Sequence, residues 1–87
     1  MRVRFTKRFA KQYEKTPIKV KNAFDQRLEL FLKDKNHPLL NNHALIGKLQ
    51  NYRSINVTGD WRALFREFEG GELVFFEFIG THSQLYN

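Results

Sequence analysis

The chain has 87 residues, 15 Lys or Arg against 9 Asp or Glu, and 9 Phe, 3 Tyr and one Trp, with no cysteine. The missing cysteines exclude a disulfide framework, thiolate catalysis and Cys-based zinc sites. No stretch approaches the roughly 20 apolar residues of a membrane span, and no apolar run follows the basic start as a secretory signal would need. The expectation is therefore one soluble cytoplasmic domain spanning 1–87, without membrane contact.

Arg2 to Phe5 alternates charged and apolar residues, as a short strand does. Thr6 fits a helix N-cap, and Phe9 and Tyr13 give the helix after it one apolar stripe. Thr16-Pro17 reads as a second helix start, with Thr as N-cap and Pro at the first helical position. Val20, Ala23, Phe24, Arg27, Leu28, Phe31 and Leu32 keep a helical period to about Lys35. Asn36-His37-Pro38 is expected to end that helix, His37 being a terminator without chemistry. Residues 38–51 read as a polar connection.

Three strands follow: Tyr52–Val57, Trp61–Phe68 and Leu73–Ile79. Gly70-Gly71 is a two-residue hairpin turn, which sets Phe65 opposite Phe76 and Ala63 opposite Phe78. A three-residue Val57-Thr58-Gly59 loop with a left-handed Gly59 sets Asn56 opposite Asp60. One sheet face then carries Ile55, Val57, Trp61, Ala63, Phe65, Val74, Phe76 and Phe78. That face is the expected core, covered by the two helices. The fold class is α+β, with the N-terminal strand and two helices packed on one face of a mainly antiparallel sheet. The other face carries Asn56, Asp60, Arg62, Arg66 and Glu77 and is expected to be polar.

Residues 1–35 hold 11 Lys or Arg against 4 Asp or Glu; residues 36–87 hold 4 against 5. A basic half attracts a polyanion by counterion release and steering. Lys7, Arg8, Lys11, Lys19 and Lys21 are the candidate contacts to nucleic acid, and a solvated Lys-rich surface is the plain alternative. His43, Asn56, Asp60, Arg62, His82 and Tyr86 are the candidates for chemistry. RNA is cut without metal when a base takes the 2′-hydroxyl proton, the oxygen attacks the adjacent phosphate, and an acid protonates the leaving 5′-oxygen. Histidine suits either part near neutral pH. Asp can act as base or orient a His, Arg can hold phosphorane charge, and Tyr can stack on a base. Each also has a structural reading: Asp60 as a turn residue, Arg62 as a partner for Asp60 or Glu77, Tyr86 as a ring docking the C-terminus. No spacing matches a metal site and no Gly-rich phosphate loop exists, so no metal or cofactor is expected.

Four stretches carry a family resemblance: HALIGKL at 43–49, NYRSINV at 51–57, GDWRALF at 59–65 and FIGTHSQLY at 78–86. They resemble the YafQ branch of the RelE/ParE toxin superfamily, and the order of elements matches over nearly the whole chain. The resemblance implies a RelE-like fold and a type II toxin, a ribosome-dependent endoribonuclease that cuts messenger RNA in the ribosomal A site. It implies contact with ribosomal RNA and neutralisation by a cognate antitoxin. His43, Asp60 and His82 fall on the family's catalytic positions and Tyr86 on its active-site aromatic position. Where the family motif offers a further His, this chain has Asn56, which can hold a phosphate or ribose but exchanges no proton near pH 7. The implied roles are His82 as general acid, Asp60 or His43 as base, Arg62 as phosphate clamp and Asn56 as an RNA-positioning residue. Two other readings remain: a ParE-like gyrase poison, and a non-catalytic module that binds RNA or antitoxin.

Overall fold

Alternating charged and apolar residues make Arg2–Phe5 the first strand, β1, in the computed structural model, which describes residues 1–86. Thr6 caps α1 (Lys7–Glu14), its hydroxyl accepting the Phe9 N–H at 3.1 Å. That bond satisfies one of the donors a helix start leaves open. The start of α2 (Ile18–Lys33) differs from the expectation. Thr16 turns back and donates its hydroxyl to the Gln12 carbonyl at 2.8 Å, so it serves the end of α1. Pro17 takes the cap position instead, its carbonyl accepting from the Val20 and Lys21 N–H groups. The reason is the short link: the last carbonyls of α1 need donors, and Thr16 gives two, its hydroxyl to Gln12 and its N–H to the Tyr13 carbonyl. Helix α2 also stops at Lys33, ahead of the expected end. Asp34 turns extended and its carboxylate takes the Asn36 N–H, a local bond that competes with the helix. His37 therefore ends no α-helix; its Nδ1 accepts the Leu39 N–H and caps a 3₁₀ turn, Pro38–Leu40.

The sheet is completed by β2 (His43–Ala44), β3 (Arg53–Asn56), β4 (Trp61–Phe68) and β5 (Leu73–Thr81), in the order β1-β5-β4-β3-β2. Only the β1–β5 pairing is parallel. The fold is thus α+β with a mainly antiparallel sheet, as expected. Strand β2 lies in the stretch expected as a connection, and a third helix, α3 (His82–Tyr86), follows β5 directly.

The Gly70-Gly71 turn forms as expected: both glycines take positive φ, 67° and 91°, and the Glu72 N–H reaches the Glu69 carbonyl. Phe65 lies opposite Phe76. Past that pair the expected register fails. Leu64 pairs with Phe78 and Ala63 with Ile79, so Glu77 is an extra residue, a bulge. Ile79 consequently enters the core at 3% exposure, and Phe78 moves to the opposite face, where its ring meets Tyr52 at 5.5 Å. The β3–β4 hairpin also departs from expectation, with Asn56 opposite Arg62 rather than Asp60. Gly59 is not left-handed. The Val57 and Thr58 N–H groups close this loop on the Trp61 carbonyl, and side chains add to it: the Trp61 N–H donates to the Thr58 hydroxyl, and Arg62 Nη1 donates to the carbonyls of Thr58, Gly59 and Trp61.

The core lies between the sheet and the two long helices. Phe76 is its hub: its ring centroid is 5.2–5.9 Å from those of Phe5, Phe9, Phe24, Phe31 and Phe65. Tyr13 donates to the Asp25 carboxylate at 2.8 Å and ties α1 to α2. The opposite face is less polar than expected. Buried Leu64 and half-buried Phe78 and Tyr52 sit there beside an Arg66–Glu77 ion pair. Burial, and then the Glu77 charge, raise the Tyr52 hydroxyl above its ordinary pKa. Among the described residues, no helix is long and apolar enough to cross a membrane.

Candidate active site

A cleft of about 300 Å³ opens beside α3 on the sheet face opposite the core, lined by Asn41, His43, Leu45, Arg62, His82 and Tyr86. Each polar wall arrives from a different element. His43 sits on β2, held opposite Ser54 of β3. Arg62 sits on β4 between Asn56 and Gly80. His82 and Tyr86 are four residues apart on α3, which puts both rings on one helix face; their centroids are 4.5 Å apart.

Helix α3 is unexpected from periodicity, but the sequence does carry its signal. Thr81-x-x-Gln84 is a capping box. The Gln84 N–H donates to the Thr81 hydroxyl at 3.2 Å, and the Thr81 N–H donates to Gln84 Oε1 at 2.9 Å. The helix then lies flat on the sheet because Gly80 has no side chain. A Cβ there would stand 3.1 Å from Gln84 Oε1 and 3.3 Å from Leu85. Two further ties fix the helix. The His82 N–H donates to the Asp60 carbonyl at 2.9 Å, and the Tyr86 hydroxyl donates to Oγ of fully buried Ser54 at 3.3 Å. Ser54 thus anchors the Tyr86 ring from inside the sheet.

His43 is oriented by one bond. Its Nδ1 lies 2.7 Å from the carbonyl oxygen of Asn41, a residue with left-handed φ of 46°. A carbonyl only accepts, so in the neutral ring Nδ1 carries the hydrogen and Nε2 keeps the lone pair. Arg62 spends Nη1 on the three loop carbonyls and pairs with neither Asp60 nor Glu77. Its planar fork is thereby fixed with the rest of its edge on the cleft.

Not every residue expected at the site joins it. Asp60 contributes its backbone carbonyl, while its side chain is exposed and does not line the cleft. Asn56 stands beside Arg62, and its Oδ1 is buried without a hydrogen-bond partner among the described residues. The basic helix residues lie apart from the cleft. Arg8 places its guanidinium 4.7 Å over the Phe78 ring and Lys21 its ammonium 5.7 Å from the Tyr13 ring. Lys7, Lys11 and Lys19 are exposed. Asn41 and Leu45 are lining residues that their types alone do not announce. No cluster of His, Asp or Glu able to hold a metal ion occurs among the described residues.

The comparisons with known proteins agree with this architecture. The family described as bacterial toxin of type II toxin-antitoxin system, YafQ, matches residues 1–87. No curated protein sequence matches the chain. Among solved structures, YafQ from E. coli strain BL21(DE3) superposes with a TM-score of 0.77 at 22% identity, covering 100% of both chains. The YoeB/ParE toxin from Agrobacterium tumefaciens gives 0.77 at 18% identity, over 94% of this chain and 99% of that one. The E. coli DinJ-YafQ toxin-antitoxin complex gives 0.73 at 22% identity, over 98% and 96%. The fold is that of these toxins, and the match along the full chain places the protein in the YafQ family of bacterial type II toxins.

Proposed function

We propose that this toxin is an endoribonuclease that cuts messenger RNA in the ribosomal A site, in the cytoplasm, and is held inactive by a cognate antitoxin. The observation that carries the reading is the convergence of His43, Arg62, His82 and Tyr86, from three separate elements, on one cleft. His43 Nε2 takes the proton of the 2′-hydroxyl, and that oxygen attacks the adjacent phosphorus. The bond from phosphorus to the 5′-oxygen breaks, and His82 donates its proton to the leaving oxygen. The products are a 2′,3′-cyclic phosphate and a 5′-hydroxyl end. Arg62 holds the charge that grows on the phosphoryl oxygens. Tyr86 stacks on an unpaired base, and Asn56, beside Arg62 on β3, helps position the RNA. Lys7, Arg8, Lys11, Lys19 and Lys21 engage ribosomal RNA by charge. The antitoxin partner is suggested by the related YafQ, which occurs in a complex with DinJ.

Between the two candidate bases, the geometry favours His43. Its tautomer is set by the Asn41 carbonyl, while exposed Asp60 is not among the residues that line the cleft. His43→Gln is therefore expected to lower the single-turnover cleavage rate by about 10²–10⁴-fold, with Asp60→Asn costing far less. The opposite ranking would make Asp60 the base.

The direct test incubates purified protein with a defined messenger RNA, with and without programmed ribosomes, and maps the ends by primer extension. Cuts at fixed codon positions that need the ribosome are the expected result. A folded protein that cuts nothing would refute the nuclease and leave a binding module or a gyrase poison.

A further inference from the structure

We propose a second RNA subsite, a nucleotide-binding cleft on the outer edge of β5, separated from the catalytic cleft by α3; this rests on the nuclease reading above. The edge is set up by the fold. β1 covers β5 only as far as Phe76. Beyond it, the N–H groups of Ile79 and Thr81 point outward, because the alternate N–H of His82 bonds inward to the Asp60 carbonyl. A glutamine meets each outward group: Gln12 from α1 at 2.9 Å and Gln84 from α3 at 2.9 Å. A backbone N–H can only donate, so each carboxamide must present its oxygen to the strand. Each amide nitrogen therefore turns the other way. Both residues line a cavity of about 420 Å³, together with Lys15, Trp61, Phe78 and Leu49. That volume lies within the roughly 300–1,000 Å³ of small-ligand sites.

The wall chemistry selects the ligand. Two oriented NH₂ groups and one ammonium present donors and positive charge, and no carboxylate lines the cavity. Apart from Thr16, whose hydroxyl donates to the Gln12 carbonyl, the remaining wall is aromatic and aliphatic. A ligand that suits both parts is flat on one side and rich in acceptors or anionic on the other, which describes a nucleotide of single-stranded RNA. The placement supports a strand rather than a free nucleotide. On α3, His82 and Tyr86 face the catalytic cleft while Gln84 and Leu85 face this one. An RNA strand crossing the short helix sets one nucleotide on each side, and the second cleft then fixes the register of the cut.

The test exploits two isosteric changes. Gln12→Glu and Gln84→Glu each keep an oxygen for the strand N–H and replace the inward donor by a carboxylate oxygen. Gln26→Glu on α2, which lies on another surface, adds the same charge and serves as control. The probe is an uncleavable 2′-O-methyl hexanucleotide, read by anisotropy of a terminal dye and by fluorescence of Trp61, the only Trp in the chain. Saturable Trp quenching is expected in the wild type. Each site variant should lower the affinity by about tenfold or more, the loss of one hydrogen bond to a charged group, with unchanged melting temperature and Gln26→Glu near wild type. Quenching by adenosine monophosphate as tight as by the hexanucleotide would assign the cleft to free nucleotides and overturn the proposal. So would a missing Trp signal, equal losses in all three variants, or variants that lose antitoxin binding and keep the probe. The two readings fail separately. If the wild type cuts no messenger while the variants lose the probe, only the nuclease falls. If the site variants cut and bind as wild type, only the subsite falls.

Discussion

His82→Ala is expected to lower messenger cleavage by about 10²–10⁴-fold, the usual contribution of a positioned general acid. The cost in stability is expected to be small. His82 is exposed, at the start of a helix whose capping box is made by Thr81 and Gln84 rather than by the His ring. Its backbone bond to the Asp60 carbonyl survives the substitution. What is lost is the ring contact with Tyr86, worth about 0.5–1.5 kcal/mol in well-packed aromatic pairs and less at an exposed site. Single-turnover cleavage on programmed ribosomes, with thermal melting of the same sample, separates the two effects. Equal rates for wild type and variant, both folded, would remove His82 from the chemistry. His82→Gln, which keeps hydrogen-bonding capacity but cannot deliver a proton, should be as slow as the alanine variant.

Phe76→Ala is expected to give the largest loss of stability in the chain. The ring is fully buried and touches aromatic rings from β1, α1, α2 and β4. A buried Phe→Ala change costs about 3–5 kcal/mol in transfer and cavity terms. Domains of this size lose about 4–8 °C of Tm per kcal/mol, so a drop of at least about 12 °C follows. Total stability of a domain is only about 5–15 kcal/mol, so the variant sits near the edge of folding. Phe76→Leu, which refills part of the cavity, should recover a good part of the loss. A melting temperature for Phe76→Ala within a few degrees of wild type would mean that Phe76, with the five rings around it, is not the keystone of the core.

The long elements were legible because their signals repeat. Val20, Phe24 and Phe31 mark one face of α2, and Ile55, Ala63, Phe65 and Phe76 mark one face of the sheet; all are buried as expected. The turn at Gly70-Gly71 was legible from its chemistry. What was hidden depends on single contacts between distant residues. β2 is two exposed residues long, too short for any period, and exists because β3 offers it an edge. The bulge at Glu77 has no local signature: Glu77 meets Tyr52 and Arg66, both far along the chain. The candidate cleft was legible as a set of residue types, His43, Arg62, His82 and Tyr86. Its exclusion of the Asp60 side chain was not, because that follows from a register two residues off the expected one. The Thr81-x-x-Gln84 box was a readable signal outweighed by the strand pattern before it.

The bulge also sets how this sequence can drift. A strand is a two-beat rhythm, and the extra residue at Glu77 shifts everything after it by one beat. That shift brings Gly80 under α3 and turns Phe78 out of the core and Ile79 into it. Point substitutions along β5 leave the beat alone and are judged one side chain at a time. Loss or gain of one residue between Phe76 and Thr81 changes the beat, so Gly80 and the start of α3 exchange faces while the hub at Phe76 stays in place. A change of length in this stretch is therefore expected to leave a folded protein with a dismantled cleft, which a change of one side chain is not.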